Sequence, residues 1–142
     1  MPYLILSDIH GNLEALDAVL ADAEGRYDYI LCLGDIVSYG AEPNPLTEWI
    51  RNKATAVVRG NHDRACSGDE GLELFNPAAR ASAMWTRRTL TLENRLYLQQ
   101  LQCGPLRIEE PLGSFLLVHG SPIDEDQYVI EADRKSTRLN SS

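Results

Sequence analysis

Tyr3-Leu4-Ile5-Leu6-Ser7-Asp8-Ile9-His10-Gly11-Asn12 begins with four apolar residues of β type and breaks at once into a polar turn. The run has strand length, and after Asn12 the apolar period changes. Leu13, Leu16, Val19, Leu20 and Ala23 recur at the three- and four-residue spacing of one helix face, which predicts a helix to about Glu24 with Asn12 as its N-cap. The alternation then repeats. Tyr29–Leu33 reads as a second strand ending at Gly34, and Asn44-Pro45 as the cap and first residue of a helix to about Asn52. Ala56–Arg59 is a third strand ending at Gly60; Asn76-Pro77 opens a helix to about Thr89, and Leu92–Leu101 forms another. Arg107–Glu109 and Phe115–Val118 complete the order βαβαβααββ, the signature of an α/β domain. Strands ending at Leu6, Leu33, Arg59 and Val118 are expected in one sheet, with helices over one face.

The polar residues gather at the strand ends. Asp8-x-His10 follows the first strand, Gly34-Asp35 the second, Gly60-Asn61-His62-Asp63 the third, and His119-Gly120-Ser121-Pro122 the last. In open α/β sheets such ends converge on one crevice. Taken singly, each motif has an ordinary structural reading: a cap for Asp8-x-His10, a turn for Gly34-Asp35, a solvated histidine in Gly60-Asn61-His62-Asp63, a satisfied core histidine for His119. Together they place every histidine of the chain at equivalent strand ends. Carboxylate, imidazole and amide oxygen without thiolate suit divalent Mn, Fe, Zn or Ni, with Mn favoured here. Two such ions about 3.5–4 Å apart clamp a phosphoryl group and turn a bridging water into a hydroxide nucleophile. Asp35 is the candidate to bridge them.

Composition narrows the classes. The 142 residues carry 44% apolar content and a net charge of −8, which fits one folded domain and argues against a protein that grips nucleic acid by phosphate neutralisation. A small phosphorylated substrate remains compatible, because bound cations reverse the local field. Cys32, Cys66 and Cys103 are odd in number and lack CxxC spacing, so reduced thiols and a cytoplasmic location are expected. No run is long and apolar enough for a membrane span. The cysteines and Met84-Trp85 read as packing residues.

Asp8-x-His10, Gly34-Asp35, Gly60-Asn61-His62-Asp63 and His119-Gly120 resemble the successive motifs of the calcineurin-like metallophosphoesterases, over about residues 3–130. The fuller strings Gly34–Asn44 and Val58–Asp63 resemble the family's bacterial and archaeal branch of small phosphodiesterases and diadenosine-tetraphosphatase-like proteins. The resemblance implies an αββα sandwich, of which this chain is the N-terminal part. It implies Asp8 and His10 on one metal, Asp35 bridging, Asn61 and His119 on the other, and His62 beside the leaving group as general acid or transition-state stabiliser. The implied activity is metal-dependent hydrolysis of phosphodiesters or nucleotide phosphoanhydrides. Ser38 and Tyr39 stand where the protein phosphatases of the family carry an Asp that orients the histidine and an Arg that grips phosphate. A protein phosphatase is therefore not expected.

The family's last motif, Gly-His-x-His, has no counterpart, since the sequence has no histidine after His119. Residues 133–142, Asp-Arg-Lys-Ser-Thr-Arg-Leu-Asn-Ser-Ser, resemble the in-frame translation of a common sequencing adapter. The expectation is a partial domain over residues 1–132 and a non-native tail over 133–142. Missing ligands also keep a second class open: a catalytically inactive or regulatory domain that recognises a phosphorylated ligand.

Overall fold

Two loops that must pass within backbone contact of each other explain Gly34 and Gly60. Gly34 has φ +98, and a Cβ there would overlap the backbone of Gly60; a Cβ on Gly60 would in turn strike the carboxylate and amide of Asp35. Only residues without side chains let the second and third strand ends meet this closely. The computed structural model describes residues 2–68, 70–110 and 113–128, so the expected tail over 133–142 lies outside the described residues.

The strands β1 (Tyr3–Leu6), β2 (Tyr29–Cys32) and β3 (Ala56–Val57) form a parallel sheet in the order β1-β2-β3. Helices α1 (Leu13–Ala23) and α2 (Pro43–Lys53) make the two crossovers. They are followed by α3 (Asn61–Ser67), a short 3₁₀ turn (Leu72–Leu74), α4 (Pro77–Thr89) and α5 (Leu92–Gln99). Strands β4 (Leu106–Glu110) and β5 (Gly113–Leu117) then pair with each other, antiparallel.

Strand alternation sorts the core into two compartments. Leu6, Ile30 and Cys32 point to the helices and pack with Leu16, Leu46, Ile50, Ala83 and Leu98. Leu31 points the other way and packs with Val58 and Leu117, where Phe115, Leu106 and Ile108 close over it. The successive layers are thus helical, parallel sheet and hairpin, a mixed α/β architecture. One sequence expectation is corrected here. The strand before His119 does not join the first sheet; it lies in the second β layer, where among the described residues it pairs with β4.

Local signals were read well at two caps and wrongly at a third. Asn12 accepts from the Ala15 amide and Asn76 from the Ala79 amide, as N-caps do. Asn44 does not cap α2, which starts one residue earlier at Pro43 with Glu42 before it. The Asn44 amide instead ties α2 to the α4–α5 junction. It donates to the Thr89 carbonyl and accepts from the Thr91 amide and from the side chain of buried Asn94. Asn44→Ala is expected to lower stability by about 1–2 kcal/mol, since water can replace the bonds to Thr89 and Thr91 but not the one to Asn94; urea denaturation would show it, and a cost near zero would contradict this role. Of the residues read as packing, Met84 and Trp85 are 44% and 43% exposed on α4 and Cys103 is exposed, while Cys32 and Cys66 are buried. No helix among the described residues is long and apolar enough to cross a membrane.

Candidate metal centre

The loops after β1 and β2 are interlocked by backbone. The Asp8 amide donates to the Gly34 carbonyl, His10 to Asp35, Gly11 to Ile36, and Gly40 returns a bond to His10. Within this weave Asp8, His10, Asp35, Ser38 and Tyr39 all take positive φ, between 49° and 83°. Left-handed backbone at non-glycine residues costs of order 1–3 kcal/mol each and gathers at functional sites. Here it turns three side chains of metal-ligand type toward one point.

Asp63 supports that turn from below. Its Oδ2 accepts from the amides of Asp35 (2.8 Å) and Gly60 (3.0 Å), and Oδ1 from those of Ile36 (2.9 Å) and Val37 (3.2 Å). The carboxyl is fully buried. Burial and the nearby Asp35 charge push it up, against the pull of the Gly60, Val37 and Ile36 amides.

Asp8, His10 and Asp35 bring one ligand atom each within 4.8 Å of one another. His10 Nε2 lies 3.7 Å from Asp8 Oδ1 and 3.5 Å from Asp35 Oδ2. On the far side, His119 Nε2 lies 3.5 Å from Asp35 Oδ1 and 2.9 Å from Asn61 Oδ1. Both rings are fixed through the other nitrogen: His10 Nδ1 donates to the Val37 carbonyl (3.0 Å) and His119 Nδ1 to the Leu33 carbonyl (2.7 Å). A carbonyl only accepts, so each ring turns Nε2 toward Asp35. Hydrogen bonding from His10 holds Asp8 down at about 2. Burial alone would depress His119, but the hydrogen bond and charge of Asp35 outweigh it and lift that ring to about 9. The field at the site favours cations.

All five residues read from sequence as ligands, Asp8, His10, Asp35, Asn61 and His119, therefore border one locus, although His119 arrives from the second β layer. His62 joins them. Its ring is buried, stacks on Phe75 (4.4 Å, 29°) and stands edge-on to His10 (5.0 Å). Its Nδ1 lies 3.1 Å from Ser38 Oγ, and its amide donates to Asp35 Oδ1. Burial lowers its pKa.

The family model for calcineurin-like phosphoesterases matches residues 1–141. The chain belongs to that family. The calcineurin-like phosphoesterase chain is 47% identical over 107 residues to an uncharacterized protein of Methanocaldococcus jannaschii, a match covering 75% of this chain and 43% of that protein. It resembles the crystal structure of a metallophosphoesterase from Sphaerobacter thermophilus with a TM-score of 0.77 and 41% identity, over 99% of this chain and 56% of that one. A candidate diadenosine tetraphosphatase shares the fold at TM-score 0.55 and 23% identity, over 71% of this chain and 43% of that one. The chain spans about half the length of the relatives it matches.

Three features of this chain are not plainly legible in the sequence. Gly60-Asn61-His62-Asp63 is the first turn of helix α3 rather than a free turn. An acid three residues after a cap position is an N-terminal helix signal, so Asp63 carried a legible clue. Ser38 is the second: at the position where the family's protein phosphatases carry the orienting Asp, the serine hydroxyl meets His62 Nδ1. The third is a cluster of buried charges after His119, for which the sequence offered no local sign.

Proposed function

We propose that the chain is the ligand-bearing part of a two-metal phosphoesterase that hydrolyses phosphodiesters or nucleotide phosphoanhydrides. The observation that carries this reading is the division of Asp35: Oδ2 faces His10 and Oδ1 faces His119, each at 3.5 Å. A carboxylate so placed joins an Asp8–His10–Asp35 set to an Asp35–Asn61–His119 set, with hard oxygen and imidazole donors suited to Mn, Zn, Fe or Ni. Divalent ions at these sets supply Lewis acidity toward the phosphoryl group and toward water.

The remaining work falls to this chain's own residues. The Ser38 hydroxyl can donate to His62 Nδ1, which leaves the ring proton on Nε2. From there His62 donates to the leaving-group oxygen or to charge growing on the phosphoryl oxygens. Phe75 fixes the plane of the ring. Tyr39 stands 5.0 Å from both His10 and His62 where phosphatases of the family carry an Arg. A monoanionic diester needs less compensating charge than a dianionic phosphomonoester, which favours diesters and anhydrides.

His62→Ala, assayed with Mn²⁺, is expected to lower kcat by roughly 10²–10⁴-fold with metal content unchanged. Loss of metal in that variant would make His62 a ligand and overturn its role. Wild-type turnover of bis-p-nitrophenyl phosphate should exceed that of phosphoserine peptides, and the reverse preference would refute the substrate class.

A further inference from the structure

The two residues facing each other across the second metal set, Asn61 and His119, come from separate layers of the fold. Asn61 begins α3 beside the parallel sheet, and His119 follows β5 of the hairpin layer. Between them runs a short polar contact of 2.9 Å, and His119 is also tied to the end of the parallel sheet through the Leu33 carbonyl. The bonds that tie the chain after His119 to α3 itself lie just behind. Gly120 (φ +77) turns the chain, and the Ser121 hydroxyl accepts from the amides of Ile123 and Asp124, so residues 121–126 fold back toward α3.

That return brings Glu125 and Asp126 onto Arg64, one turn after Asn61. Arg64 Nη1 donates to Glu125 Oε1 at 2.6 Å, and Nη2 to both oxygens of Asp126 at 2.9 and 3.1 Å. Arg59, immediately before Gly60-Asn61, donates to the same Glu125 oxygen at 3.0 Å. The Glu125 side chain is only 5% exposed and that of Arg64 19%. Charges this shielded from water interact far more strongly than surface pairs, and removing one partner leaves the other unpaired and buried. The first set needs no such device. Asp8, His10 and Asp35 sit in loops woven together by backbone bonds and by Asp63.

We propose that Arg64, clasping Glu125 and Asp126, is a positioning residue that sets His119 against Asn61 and so governs the second metal set without touching the first. The inference rests on the two-metal reading above. It separates the clasp from a general staple of the fold, which would weaken both sets alike.

The chain has three histidines, so each ring can be followed by its own imidazole ¹⁵N signals while Zn²⁺ is added to the full chain. In the wild type His10 and His119 respond at Nε2. In Arg64→Ala the His119 midpoint should rise about 10–100-fold, the usual cost of losing an outer partner of a metal ligand, while the His10 midpoint stays put. Arg64→Lys should recover part of the loss, because an ammonium can keep one carboxylate contact but not the fork. Equal weakening at both rings, or no change at either, overturns the proposal. If Arg64→Ala loses the dispersed signals of a folded chain, Asp126→Asn decides instead. It removes one charge at a partly exposed position, so the His119 midpoint should rise several-fold, and an unmoved one refutes the clasp. A wild-type chain in which neither ring responds to zinc refutes the metal reading itself.

Discussion

Asp35→Asn is expected to abolish the uptake of Mn²⁺ or Zn²⁺, weak already for want of the family's last motif, while leaving the fold intact. The side chain is buried and has two separate duties. Oδ1 accepts from the His62 amide at 3.0 Å and faces His119, while Oδ2 faces His10. An asparagine keeps the first duty only if its carbonyl takes the Oδ1 place, since an NH₂ there would meet the His62 N–H donor to donor. The NH₂ then lies against His10 Nε2 and occupies the lone pair that a metal would use. Both sets lose the bridging charge, so each affinity should fall by more than the 10–100-fold typical of an outer partner. His10→Ala should do less, because it strips one set and leaves the bridge. Calorimetry with either ion distinguishes the two variants. Undiminished binding by Asp35→Asn would refute the bridging assignment. Stability in denaturant should not fall, because the substitution relieves the repulsion between Asp35 and buried Asp63.

Asp63→Asn should do the opposite: leave every proposed ligand in place and unfold the site. Asp63 accepts four backbone amides from two loops and has no exposed atom to offer water. Asparagine supplies one acceptor oxygen. Whichever way it turns, two amides lose their acceptor and face an NH₂ instead. A buried donor left unsatisfied costs about 1–3 kcal/mol, so two of them together with the repulsion imply a loss of roughly 3–5 kcal/mol. That is a large share of the about 5–15 kcal/mol by which domains are stable. Asp35 takes left-handed backbone in the loop these bonds hold, and His10 hangs on that loop through the Asp35 carbonyl, so metal uptake should decline in parallel. Urea denaturation gives the magnitude; a cost below about 1 kcal/mol would show that the amides find other partners.

The contrast between these two aspartates marks how far the sequence could be read. Asp35 announced itself by position, directly after a glycine at the end of an apolar run. Asp63 was passed over as the tail of the Gly-Asn-His-Asp string, because its role is to receive amides from residues 35–37, some 26 to 28 positions away. Nothing in the neighbourhood of residue 63 encodes that distance. Ser38 shows the same limit from the other side. Its type looked like the loss of an orienting group, and only the packing of α3 against the second loop makes its hydroxyl the partner of His62.

What the sequence determined by itself is the set of features that act within a few residues. The short apolar run of Tyr3–Leu6 and the helical stripe after it fixed β1 and α1. The Asn12 and Asn76 caps followed from one side-chain oxygen reaching an amide three residues on. The placing of ligand-type residues at strand ends followed from the same punctuation. Tertiary structure alone decided which sheet β5 would enter, how His119 would reach Asn61 from a different layer, and where Arg64 would find its carboxylates. A strand of five residues can satisfy its backbone against any suitable edge, so its own residues do not specify a partner. That choice is made by which apolar face is left to be covered, here the Leu31 and Val58 side of the parallel sheet, and the face exists only once the first three strands have come together.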